Sequence, residues 1–267
     1  MHYLTKRGTL VERCFQNIFG GLSRRWKVSM NESFERNHHE HDHGNHCHNE
    51  HGCHSIMQEL ICHAPYAVFA VTLAMAVALF WSSSSTGAAL GAAACSGASR
   101  LFHGFHFIHI VFSSTGVLVT YFRFSKNRNV LRGFIVGGIT AASVCILSDA
   151  VLPYLGGRIL GAPIQFHFCW LHELHNVFPF LIIGLCNGWI LSTHHSNRQT
   201  SYSALSHTAH IIASSFASLF YMISYGFVMW YANLGMVFLV LLVAVVVPCT
   251  LSDLVIPMLV ARADGKK

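Results

Sequence analysis

The 267-residue chain is 53% hydrophobic, and only 10% of it is Asp, Glu, Lys or Arg. Soluble domains carry about 25% charged residues. Together with a mean hydropathy of +0.46, that deficit excludes a disordered chain, a nucleic-acid binder and an ordinary cytosolic enzyme. Against the apolar background stand 20 His, nearly twice the 11 acids.

In chain order, the first element is a tail over residues 1–56, expected to be disordered and cytoplasmic. Residues 1–58 hold seven of the 17 Lys and Arg, six of the 11 acids and nine of the 20 His. No apolar run follows Lys6 and Arg7, so the start does not read as a secretory signal. The tract carries His38, His39, His41, His43, His46, His48, His51 and His54, with Cys47, Cys53, Glu40, Asp42 and Glu50 between them. Such a run cannot pack a core but can chelate borderline metals flexibly. The nine Cys of the chain sit mostly in apolar segments or among these histidines. They read as reduced thiols, some of them soft ligands.

Six segments then follow, each apolar over the roughly 20 residues a membrane helix needs. They run near 60–82, 105–123, 133–155, 170–192, 208–226 and 233–260. The backbone has no water to bond in a bilayer, so the spans must be helical. The small-residue stretch 83–104 fits either a loop or a packed helix. Arg123, Lys126, Arg128, Arg132, Arg198, Arg262, Lys266 and Lys267 gather on one side, against Arg100 and Arg158 on the other. The excess of positive charge on the inner side predicts both termini in the cytoplasm. The formal charge of +6 reads as this orientation signal, not as a nucleic-acid patch.

The apolar part contains an internal repeat. Cys145-Ile-Leu-Ser-Asp149-Ala-Val-Leu-Pro153-Tyr-Leu155 matches Cys249-Thr-Leu-Ser-Asp253-Leu-Val-Ile-Pro257-Met-Leu259 at seven of eleven positions. Upstream, His106-Phe-Ile-His109-Ile-Val-Phe-Ser-Ser114 matches His207-Thr-Ala-His210-Ile-Ile-Ala-Ser-Ser215. Glu59-Leu60 with Pro65 matches Glu173-Leu174 with Pro179. The chain therefore divides into repeat 1 over 57–162 and repeat 2 over 163–267. With three crossings per copy, the second copy is inverted. The expected fold is an all-α membrane protein of six helices in a three-plus-three inverted repeat, an arrangement that recurs in secondary transporters.

Between residues 51 and 263 the only acids are Glu59, Asp149, Glu173 and Asp253, two repeat-equivalent pairs. A carboxylate at membrane depth is costly and needs a partner or a wet cavity. The i,i+3 spacing of His106/His109 and of His207/His210 puts both imidazoles of each pair on one helical face. Cys145 and Cys249 precede their Asp by four residues and share its face. Pro153 and Pro257 follow it by four and withhold the amide that would bond that Asp's own carbonyl, leaving it free to help hold a cation.

Inversion predicts one Glu-His-His-Asp set per membrane face. Glu173, His106, His109 and Asp149 lie outside, near His103, His167, His172 and His175. Glu59, His207, His210 and Asp253 lie inside, with His63 one turn after Glu59. These are two cation sites or two halves of one pathway. Mixed imidazole and carboxylate ligation suits zinc first, with nickel, cobalt, iron(II) and manganese as alternatives.

The His-rich tract resembles, in composition, the cytosolic loops of zinc transporters of the cation diffusion facilitator and ZIP families. The membrane segments depart from both: there is no HxxxD on segments two and five and no HExxH. His172-Glu173-Leu174-His175 is one residue too short for the latter. The function expected is transport of a divalent transition metal across a lipid bilayer, with protons as a candidate coupling ion and a homodimer as a candidate assembly. An intramembrane metalloenzyme and a non-transporting metal sensor are the alternatives. Deleting residues 37–55 is expected to preserve metal flux and shift its apparent affinity. Loss of all flux on deletion would make the tail part of the conduction path.

Overall fold

The computed structural model describes residues 56–84, 90–125, 129–167, 173–193 and 199–264. The tail histidines, His38 to His54, lie outside them. The fold is all-helical, with no strand among the described residues. Its helices are α1 (Ile56–Ser84), α2 (Leu90–Phe124), α3 (Val130–Ile146), α4 (Leu152–Ile159), α5 (Leu174–Thr193), α6 (Gln199–Ser224), α7 (Leu234–Thr250) and α8 (Ile256–Asp264). A π turn, Leu147–Val151, joins α3 to α4, and a second, Leu251–Val255, joins α7 to α8.

Five helical stretches among the described residues are long and apolar enough to cross a membrane: Ala64–Ser82, Cys95–Phe124, Val130–Ile159, Leu174–Thr193 and Trp230–Ala263. The sixth expected crossing, 208–226, lies on α6 up to its end at Ser224; α6 is a helix of 26 residues but is not apolar enough to join them. The reason lies in its surroundings. Nearly every residue from His210 to Ile223 is buried. A helix enclosed by protein can carry serine and histidine where those side chains find partners, whereas a helix facing lipid cannot. Large apolar side chains are instead exposed on the outer helices, among them Phe69, Phe80, Ile139, Phe178, Ile183 and Leu239. An apolar outer surface of this kind suits hydrocarbon as its solvent.

The stretch 83–104, open between loop and helix on sequence, resolves partly into helix. The second segment starts at Leu90, well before the expected residue 105, because Leu-Gly-Ala-Ala-Ala is rich in the strong helix former alanine. The added turns bury Ala98 and Phe102. The Phe102 ring packs edge-on against Tyr221, with centroids 5.2 Å apart.

The chain divides into two compact units, 1–62 and 63–267. Of the first, only the opening turns of α1 are described. The second holds most of both halves of the expected repeat, and within it α2 is the central rod, packed along α6, α5 and α3. The α2–α5 contact rests on Gly184 and Gly188, a small-xxx-small pair that lets two backbones approach. A Cβ on Gly184 would stand 2.5 Å from the Val111 carbonyl oxygen and 2.0 Å from Ser114 Oγ. Thr115 Oγ1 donates across the same contact to the Gly184 carbonyl, at 3.0 Å. Gly184→Ala is therefore expected to cost about 1–3 kcal/mol by overpacking and to lower the unfolding temperature in detergent. An unchanged melting curve would contradict this contact.

Candidate metal centre

Two stretches position the functional side chains, each by the same local device. On α2, His103, His106 and His109 follow one another at intervals of three and share a face. On the next rod, Asp149 lies inside the π turn, where the Leu152 amide bonds back five residues to the Leu147 carbonyl. Pro153 follows and has no amide to give. In the second half, Asp253 lies inside the other π turn, with the Ile256 amide bonded to the Leu251 carbonyl and Pro257 next. The two π turns begin 104 positions apart, as do the two aspartates. Single π turns inside helices are uncommon and cluster at functional sites.

Around Asp149 the partners are complete. His106 Nδ1 and His109 Nδ1 donate to Oδ2 at 2.8 and 2.7 Å. Ser148 Oγ lies 2.8 Å from Oδ1, and Ser214 Oγ on α6 donates to the same oxygen at 2.9 Å. Ser218, one turn further along α6, donates to the Ser148 carbonyl at 2.9 Å. That carbonyl lies five residues before Pro153, the one whose π-register donor the proline withholds. It is taken by a hydroxyl; the sequence expectation concerns the carbonyl of Asp149 itself, and the π turn moves the withheld donor one residue back, to Ser148. All of these groups are buried, and Asp149 and His109 are 0% exposed.

Asp253 sits in a sparser setting. His207 Nδ1 donates to Oδ2 at 2.7 Å, and His210 Nδ1 lies 3.1 Å from the same oxygen. Oδ1 is buried and accepts no hydrogen bond from the protein. Ser113 and Ser252, the repeat counterparts of Ser214 and Ser148, are bonded to each other at 3.0 Å.

The two His-Asp sets meet in the core. The His109 and His210 rings have centroids 4.5 Å apart. A donor atom from each of His109, His210 and Cys249 lies within 4.8 Å of the others. Cys249 is buried within this cluster beside both imidazoles, and its repeat counterpart Cys145 is buried as well. With Nδ1 committed to a carboxylate, His106 and His109 carry their second nitrogen, Nε2, buried and without a hydrogen-bond partner. His210 Nε2 is also buried without a hydrogen-bond partner, and its Nδ1, 3.1 Å from Asp253 Oδ2, is in ion-pair range without a hydrogen bond.

The other expected site residues are spread more widely. Glu173 is half-buried at the start of α5, where its carboxylate accepts from the Asn176 side chain at 2.5 Å and its carbonyl from the Val177 amide. That is a helix-start role. Glu59 and His63 lie on α1, with side chains outside the described set. His103 bonds the Ser99 carbonyl through Nδ1 at 2.7 Å and faces the His167 ring at 5.8 Å. His175 is exposed, and His172 is outside the described residues.

Sequence reasoning does not single out the serines, although both repeat blocks display them: Ser113/Ser214 and Ser148/Ser252 are matched pairs. Comparison with protein-family models, with curated proteins and with solved structures finds no match.

A buried carboxylate holding four donors is costly to alter. In Asp149→Asn an amide nitrogen would face hydrogen-bond donors, leaving groups unsatisfied at about 1–3 kcal/mol each. The variant is expected to melt earlier in detergent, with Ser214→Ala giving a smaller shift of about 1 kcal/mol. Equal stability of Asp149→Asn and wild type would show that these contacts contribute nothing.

Proposed function

We propose that the protein transports a divalent transition-metal cation, zinc foremost, through a bilayer by alternating access between two inverted repeats. The observation that carries this reading is the core junction of His109, His210 and Cys249, whose donor atoms converge within 4.8 Å. Two imidazole nitrogens with one thiolate are ligands of the borderline-soft class that zinc takes. A carboxylate on Nδ1 fixes the tautomer, orients the ring and raises the basicity of Nε2, as in carboxylate–histidine–zinc arrangements. In this reading Asp149 and Asp253 orient their histidines through Oδ2, and the imidazoles face the cation.

Duplication favours carriage over catalysis. Each half supplies a His-x-x-His pair, an Asp in a π turn and a Pro four residues on. A hydrolytic metal site needs one asymmetric water position with a general base, whereas a carrier uses equivalent groups on both sides of a midplane site. With α6 counted as the sixth crossing, both termini face the cytoplasm, and the His-rich tail loads or buffers the ion there. Zinc, nickel, cobalt, manganese and iron(II) are cargo in this scheme. Binding displaces any proton held by the ligating imidazoles and thiol, which offers protons as the coupling ion.

Uptake of these five cations into proteoliposomes tests the proposal. Wild-type vesicles are expected to take up zinc well above empty ones, and the Asp149→Asn/Asp253→Asn double variant to lose at least about tenfold, equal to roughly 1.4 kcal/mol of lost stabilisation. Unchanged flux in a folded double variant would end the transport reading.

A further inference from the structure

The two aspartates match in sequence and in backbone, yet their second carboxylate oxygens are in opposite conditions. Asp149 Oδ1 is held by two serines, Ser148 at 2.8 Å and Ser214 at 2.9 Å. Asp253 Oδ1 is buried and receives no hydrogen bond from the protein. A buried carboxylate oxygen without a donor is costly. The donors that would mirror the Asp149 arrangement are present, but Ser113 and Ser252 are bonded to each other at 3.0 Å.

Gly116 sets the second difference. It faces Asp253, and a Cβ there would stand 3.3 Å from Oδ1. One turn of α2 thus keeps clear the space beside the unpaired oxygen. The repeat counterpart of Gly116 on α6 is Ala217, which is fully buried. Exposure follows the same division, since the Asp253 side chain is 13% exposed and that of Asp149 is 0%.

We propose that Asp253 Oδ1 is the carboxylate position that receives the zinc ion in this conformation, and that Asp149 Oδ1 is the same position closed by its serines. The inference rests on the transport reading and deepens it. Ser148 with Ser214, and Ser113 with Ser252, are the two settings of one latch. When the second pair turns onto Asp253 Oδ1, that oxygen is satisfied without the ion, and the ion is released from it. Gly116 admits the ion, because a methyl group in its place would crowd the oxygen.

The test is zinc uptake by the full-length chain in proteoliposomes, measured against zinc concentration for wild type and variants. Gly116→Ala and Asp253→Asn are each expected to raise the half-saturating zinc concentration about tenfold or more. Ala217→Gly is expected to leave it within about twofold, since on this account that position does not face the receiving oxygen. Ser113→Ala with Ser252→Ala removes the closing arm, and should lower maximal uptake about tenfold with half-saturation unchanged.

If wild type takes up zinc but folded Gly116→Ala and Asp253→Asn chains keep wild-type half-saturation, the inference falls and the transport reading stands. The inference falls likewise if Ala217→Gly shifts half-saturation as far as Gly116→Ala does, or if the double serine variant keeps full maximal uptake. Wild-type uptake no greater than that of empty vesicles removes the transport reading and this inference with it.

Discussion

Everything in the core follows from two carboxylates placed among apolar helices. An isolated carboxylate in a low-dielectric interior is strongly unfavourable, and the chain has almost no Lys or Arg there to neutralise it. Imidazole is the remaining solution. It donates a hydrogen bond when neutral, carries charge when protonated, and keeps a second nitrogen for another task. Each Asp accordingly gathers two histidines within ion-pair range of Nδ1, three of the four through a hydrogen bond. These contacts help direct the remaining nitrogens, and two of the rings meet beside Cys249. The candidate centre is thus a consequence of charge compensation as much as of ligand choice.

The backbone is adapted to the same constraint. A π turn adds one residue to a helical turn, which changes the direction in which Asp149 or Asp253 leaves the rod. It also disrupts the backbone hydrogen-bond register just where proline removes a donor. The cost is recovered locally, with Ser218 supplying a donor to the Ser148 carbonyl. That requirement explains why α6 is rich in serine and histidine, and why it is enclosed by its neighbours instead of facing outward.

Much of this was legible in the sequence, and the reasons for the rest are physical. Apolar runs located the long helices, since lipid-facing residues must be apolar and their length is fixed by the span. The duplicated Cys-x-Leu-Ser-Asp-x-Val-x-Pro block and the His-x-x-His blocks drew attention to the residues that the structure brings together. The convergence of His109 on His210 could not be read, because it depends on how α2 packs against α6. Glu173 looked like a member of the set by its repeat position, yet its carboxylate bonds Asn176 at the start of α5. A repeat-equivalent acid at a helix start takes a local side-chain partner without reaching the core. The π turns left no periodic signal, only a proline four residues past each Asp. The serines were hidden by their ordinariness: serine is common in packed helices, and only the pairing of Ser148 and Ser214 on one oxygen sets them apart.

The central claim is that imidazole nitrogens and Cys249 sulfur bind one cation in the core. Zinc K-edge absorption spectroscopy on zinc-loaded protein lacking residues 37–55 tests it most directly. The account predicts nitrogen neighbours at about 2.0–2.1 Å together with sulfur at about 2.3 Å, the sulfur shell disappearing in Cys249→Ser and the nitrogen count falling in His109→Ala and His210→Ala. A zinc environment of oxygen alone, or one unchanged by all three substitutions, would contradict it.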